Sequence, residues 1–209
     1  MKYDGFIFDF DGTVADTSEG ILESIGYALE KVGAPKISDE QKFTFIGPSL
    51  YSSFTQTVGL SDEDANRAVS AYREYYTPIA VYKCKLYDGM EKLLCDLSKT
   101  AKVSIASAKP QPQLEIAVNH LGVNKYASVV IGADLSVKDN DKASQLLRAK
   151  QTENSIMIGD SIHDIRSSKS VGMPVVAVAY GFTDYETLAK ENPDYIVKSV
   201  DELYQLLTK

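Results

Sequence analysis

The chain has 209 residues, 44% of them hydrophobic and 24% charged, with a formal net charge of −7. That length supports one or two domains around a sizeable core, and the acidic balance argues against nucleic acid as a ligand. Cys84 and Cys95 have neither Cys-x-x-Cys nor zinc-type spacing and are expected as buried, reduced thiols. No secretory signal and no stretch of membrane-spanning length is visible, so the expected location is the cytosol.

The first apolar run, Gly5–Phe10, reads as a buried strand broken near its end by Asp9. Its hydrophobicity is continuous rather than alternating, as in strands covered by helices on both faces. From about Thr17 to Tyr82 the pattern is helical, with no convincing strand. Ile21, Leu22, Ile25, Ala28, Leu29 and Val32 fall at helical spacing, and Gly33-Ala34-Pro35 ends that helix. Ser61-Asp62-Glu63-Asp64 opens another, with its acids in the first turn. Tyr72, Tyr75 and Tyr76 are expected to pack this segment. Beyond it come strands at Val103–Ala106, Val129–Ile131, Ile156–Ile158 and Val175–Val178. Helices are predicted near Gly89–Lys99, Pro112–Leu121, Lys142–Lys150, Ser161–Val171, Tyr185–Glu191 and Val200–Leu207. This alternation predicts an α/β fold with a parallel sheet and right-handed crossovers, a Rossmann-like three-layer core. The core takes residues 1–16 and 83–209, and residues 17–82 form an inserted α-helical cap domain.

Two strand ends carry the chemistry. Phe6-Ile7-Phe8-Asp9-Phe10-Asp11-Gly12-Thr13 closes an apolar strand with aspartates two residues apart, which a strand would place on one side. Like-charged carboxylates held together need a cation or a shared proton. Solvated acids at an edge strand are the bland alternative. Ser155-Ile156-Met157-Ile158-Gly159-Asp160-Ser161-Ile162-His163-Asp164 repeats the theme, with Asp164 one helical turn beyond Asp160. Simple N-capping by Asp160 or Ser161 is its alternative. In a parallel sheet both ends fall at the carboxyl edge, where ligands bind. An all-oxygen set there suits Mg²⁺ better than zinc.

Asp9-Phe10-Asp11-Gly12-Thr13-Val14, followed far downstream by Gly159-Asp160-Ser161-x-x-Asp164, resembles the haloacid dehalogenase superfamily. The closest resemblance is to its phosphoglycolate-phosphatase-like subgroup with an α-helical cap. The resemblance implies a Mg²⁺-dependent phosphatase acting on small phosphomonoesters through an aspartyl-phosphate on Asp9. Asp11 is then the general acid and base. Mg²⁺ would be held by Asp9, the Asp11 backbone carbonyl, Asp160 and Asp164. Ser107, with Ala108 after it, would bind the phosphoryl group together with a motif lysine and backbone N–H groups near Phe10. Lys142 fits the motif lysine best, with Lys109 and Lys138 as the other candidates. Gly47 and Ser49, in Gly47-Pro48-Ser49, are candidates for substrate contact, or simply a helix-breaking turn.

Thr17 and Ser18 are expected to cap the first inserted helix. His163 is expected at the surface or behind the site, and His120 reads as structural. A true dehalogenase lacks the second aspartate, so Asp11 excludes that activity. A phosphonatase would need a cap lysine in a recognisable motif, and Lys31, Lys36 and Lys42 form none. A phosphomutase, nucleotidase, pyrophosphatase or non-catalytic phosphate-binding protein on the same scaffold are the alternatives. The expected partner is a small phosphorylated metabolite, with no nucleic acid or membrane, and the chain is expected as a monomer or homodimer.

Overall fold

The computed structural model describes residues 3–46, 49–134, 136 and 141–209. In chain order the first elements are β1 (Gly5–Phe8), β2 (Ala15–Asp16), α1 (Ser18–Val32), α2 (Asp39–Phe43), α3 (Leu50–Gln56) and α4 (Asp62–Tyr76). Next come β3 (Lys85–Leu86), α5 (Met90–Ser98), β4 (Lys102–Pro110), α6 (Gln111–His120), β5 (Val129–Ala133) and α7 (Lys142–Ala149). The chain finishes with β6 (Ser155–Gly159), α8 (Ile162–Ser170), β7 (Val175–Val178), α9 (Tyr185–Lys190), β8 (Tyr195–Val197) and α10 (Val200–Thr208). Two compact units result: an α/β unit of residues up to Asp16 with Lys85–Lys209, and an inserted unit, Thr17–Cys84.

The α/β unit is built on a six-stranded sheet of order β5-β4-β1-β6-β7-β8, parallel throughout. Every residue of β1, β6 and β7 is buried, which requires cover on both faces and explains their unbroken apolar runs. On one face Ile7, Met157, Val175 and Ala177 pack with Leu146 and Ala149 of α7, Ile165 of α8 and Leu188 of α9. Strand alternation sends Phe6 and Phe8, both within 1% of full burial, to the other face. The chain runs from β1 out to β4 and β5, then crosses to β6 and runs out the other way. β1 therefore lies at the switch point of the sheet, where the carboxyl ends of strands diverge and leave a crevice.

Several boundaries differ from expectation. β1 stops at Phe8, two residues short, because the backbone turns there: the carbonyl of Phe10 accepts from the N–H groups of Thr13, Val14 and Ala15. Asp9 and Asp11 are thus not side by side on one strand. β4 runs on to Pro110, with a register shift between Ala106 and Pro110. The three-residue β8 and the two-residue β2 and β3 are too short to show a period in sequence. Cys84 and Cys95 are half-buried rather than buried; Cys95 flanks the Leu93, Leu94 and Leu97 stripe of α5.

The inserted unit is helical. α1 buries Ile21, Ile25, Ala28 and Leu29, and its end is closed by Gly33 in the left-handed region. α4 begins at Ser61, whose hydroxyl accepts from the Asp64 N–H. Tyr72 stacks on Tyr76, and Tyr75 stacks on Tyr27 while donating to Glu23. Thr17 occupies the N-cap position of α1, but its hydroxyl makes no capping bond and is buried without a partner. Among the described residues no helix is long and apolar enough to cross a membrane.

Candidate active site

Register assembles the site. Phe8 pairs with Ile105 on one side and Ile158 on the other, so Asp9, Ala106-Ser107 and Gly159-Asp160 come level at the carboxyl edge of the sheet. The Asp9 N–H donates to the Ile158 carbonyl at 2.8 Å, fixing the first aspartate against β6. Carboxylate oxygens of Asp9, Asp160 and Asp164 lie within 4.8 Å of one another. Lys142, first residue of α7, reaches into this group: its Nζ is 2.8 Å from Asp9 Oδ1 and 2.9 Å from Asp164 Oδ1. It also donates to the Ala106 carbonyl at 2.7 Å.

Two of these carboxylates, Asp9 and Asp164, face one ammonium, and burial shifts the acids. Burial pushes Asp9 from 3.8 up to about 6, with Lys142 opposing and Asp164 and Asp11 adding to the rise. Burial, then Asp164 and Asp9, raise Asp160 well above its ordinary value, against the Phe182 N–H and Thr13 hydroxyl. Burial works to lower Lys142, but Asp164 and Asp9 outweigh it and hold the side chain as an ammonium. Lys142 is the charged partner of the buried Asp9 Oδ1. Excess negative charge and an all-oxygen donor set together fit a hard divalent cation.

The acids are held from behind. Asp160 accepts from the Phe182 N–H at 2.8 Å and from Thr13 Oγ1 at 3.2 Å. Tyr180 donates to the Thr13 carbonyl at 3.0 Å, and Tyr87 packs edge-on to it at 4.9 Å. Gly12 has φ 79°, and a Cβ there would collide with Asp160 Oδ2 and the Phe182 ring. A Cβ on Gly181 would collide with the Gly12 carbonyl and Asp160 Cβ. Asp164 shares a capping box with Ser161, whose Oγ donates to Asp164 Oδ2 at 2.7 Å. Capping and site-building are therefore one arrangement here: Oδ2 closes the helix while Oδ1 meets Lys142. The Tyr180-Gly181-Phe182 turn was absent from the sequence reading. A glycine just past a buried strand is the one signal that marked it.

The remaining candidates divide. Asp11 was expected among carboxylates, but its nearest partner is an ammonium: Lys109 Nζ lies 2.7 and 3.0 Å from its two oxygens. The Asp11 carboxylate is not part of the acidic triad. Ser107 is buried, and its Oγ accepts from the Lys109 N–H at 3.3 Å; Ala108 beside it is exposed. The Phe10 side chain is fully buried. The Ser49 hydroxyl caps α3 by accepting from Ser52 N–H. Gly47 and Lys138 lie outside the described residues. His163 is exposed on α8.

The parallel sheet thus carries three clustered acids at its carboxyl edge, two of them paired to one buried ammonium. The sequence model of haloacid dehalogenase-like hydrolases matches residues 6–178. A 5′-nucleotidase of Pseudomonas aeruginosa is 28% identical over 214 aligned residues, covering 99% of this chain and 96% of the relative. The pyrophosphatase PpaX of Bacillus mycoides is 26% identical, covering 100% and 99%. The crystal structure of a predicted phosphatase from Clostridium acetobutylicum superposes with a TM-score of 0.90 at 31% identity, covering 99% of each chain. The chain belongs to the haloacid dehalogenase-like hydrolase family, and it is an enzyme of that family's phosphatase class.

Proposed function

We propose that the enzyme hydrolyses small phosphomonoesters, with Mg²⁺ bound, through an aspartyl-phosphate on Asp9. The observation that carries this reading is the Lys142 ammonium set between Asp9 and Asp164, with Asp160 completing the triad. Asp9, Asp160 and Asp164, with the Asp11 carbonyl, would hold the ion. When bound, Mg²⁺ supplies positive charge that screens the anionic nucleophile from the anionic substrate.

The chain's own residues do the rest. Asp9 attacks phosphorus; a carboxylate raised only to about 6 is still mostly ionised at neutral pH and needs no base. Ser107 and Lys142 hold phosphoryl oxygens as charge spreads onto them, helped by N–H groups near Phe10 and Ala108. Asp11 gives a proton to the leaving oxygen, then takes one from the water that cleaves the acyl phosphate.

Phosphate release from para-nitrophenyl phosphate in Mg²⁺, lost on chelation, is the first test. Asp9→Asn should abolish both turnover and trapped phosphoenzyme while circular dichroism stays native. Substantial turnover in that variant would remove Asp9 from the mechanism. The relatives named as a nucleotidase and a pyrophosphatase favour a second substrate reading, a nucleoside monophosphate or pyrophosphate. A panel of these with phosphoglycolate and sugar phosphates, ranked by kcat/KM, decides between them.

A further inference from the structure

We propose that Lys109 is the positioning residue for Asp11, fixing where its carboxylate exchanges protons with the leaving and attacking oxygens. The inference rests on the reading of Asp11 as acid and base, and concerns how that carboxylate is held.

The Lys109 side chain is only 5% exposed, and an ammonium so buried is tolerable only if well paired. Its Nζ meets both Asp11 oxygens, at 2.7 and 3.0 Å. Asp11 itself stands in the turn beyond β1, next to Gly12 at φ 79°, with a single isolated bridge to Ala15 and no place in the six-stranded sheet. Lys109 lies in the last stretch of β4, between Ala106 and Pro110 where the register shifts, and its own N–H bonds Ser107 Oγ at 3.3 Å. The two buried lysines thus divide the site: Lys142 lies on Asp9 and Asp164, Lys109 on Asp11. A proton carrier works only within hydrogen-bond reach of the reacting oxygen, so a carboxylate free to rotate loses rate.

The proton inventory closes without Lys109 titrating. The Asp11 proton passes to the leaving oxygen as the ester P–O bond breaks and the Asp9–phosphorus bond forms. Asp11 then takes a proton from water as the water oxygen bonds phosphorus and the Asp9–phosphorus bond breaks. Lys109 stays an ammonium throughout.

The test compares Lys109→Met and Lys109→Arg on two substrates, para-nitrophenyl phosphate and glycerol phosphate, in single-turnover phosphoenzyme formation and steady state. The nitrophenolate leaves without a proton; the glycerol oxygen needs one. Lys109→Met should slow phosphoenzyme formation from glycerol phosphate by about tenfold or more, change that from para-nitrophenyl phosphate little, and leave KM nearly unchanged. Lys109→Arg should recover part of the loss. On an Asp11→Asn background, which also relieves the uncompensated charge if Lys109→Met folds poorly, Lys109→Met should cost nothing further. Equal losses on both substrates, a raised KM at unchanged kcat, or a further loss on that background would each overturn the proposal. Asp11→Asn alone turning over glycerol phosphate normally would overturn the acid–base reading itself, and is read without any Lys109 variant.

Discussion

At the scale of single residues, the site is a problem in holding acids still. Asp160 is 3% exposed and carries two hydrogen bonds from behind, leaving its remaining lone pairs for whatever sits among the triad. Outer partners of this kind orient metal ligands, and losing one typically costs about 10–100-fold in metal affinity. Thr13→Val keeps the shape of Thr13 and removes its hydroxyl from Asp160 Oδ1. We expect Mg²⁺ affinity, read by calorimetry without substrate, to fall by about tenfold. Unchanged affinity would show that the Phe182 N–H alone holds the carboxylate. Lys142→Met is a harsher change, since it leaves Asp9 and Asp164 buried without their shared cation. Expected is a loss of kcat/KM of about 100-fold or more, as when a preorganised charge aimed at the transition state is removed. A variant within threefold or so of wild type would place the phosphoryl-binding charge elsewhere.

At the scale of elements, what could be read in the sequence depended on length and repetition. β7 was placed to the residue and α7 and α10 within one residue, because burial on both faces leaves an unbroken apolar run and helices leave a 3.6-residue period. β8, at three residues, leaves neither. The acids of the Gly159 turn were legible because a buried strand ending in aspartate is chemically odd. The Lys109–Asp11 pair was not, since it joins residues 98 apart through a fold that had first to be built. The Tyr180-Gly181-Phe182 turn was hidden for the same reason: its value lies in what it touches. Gly181→Ala tests that contact. Its Cβ would strike the Gly12 carbonyl and Asp160 Cβ, both at the carboxyl edge that carries the acidic triad. Overpacking of this kind costs about 1–3 kcal/mol. Expected are a lower Tm and weaker Mg²⁺ binding together. A stability loss with Mg²⁺ affinity intact would mean the turn yields away from Asp160.

At the scale of the whole molecule, the site's charge links stability to pH and to the metal. Asp9 is raised from 3.8 in the unfolded chain to about 6 in the folded one. Between those values the folded protein binds more protons than the unfolded one, so stability falls as pH rises through the window. A shift of about two units corresponds to at most about 3 kcal/mol, the cost of keeping the Asp9 carboxylate charged where it is buried. Asp160 is raised also and acts with the same sign. Surface acids such as Glu91 and Asp184, lowered by their partners, act with the opposite sign, so wild-type stability alone does not isolate the site. The difference between Asp9→Asn and wild type does. In metal-free buffer we expect Asp9→Asn to gain stability relative to wild type from about pH 4 to above pH 6, by urea unfolding at each pH. Saturating Mg²⁺ should reverse the order at pH 7.5 or so, because the ion binds ionised carboxylates and the variant has lost one. A difference that stays flat with pH would mean that Asp9 is not strained by burial, and that any cation is recruited by Asp160 and Asp164 without relieving a cost at Asp9.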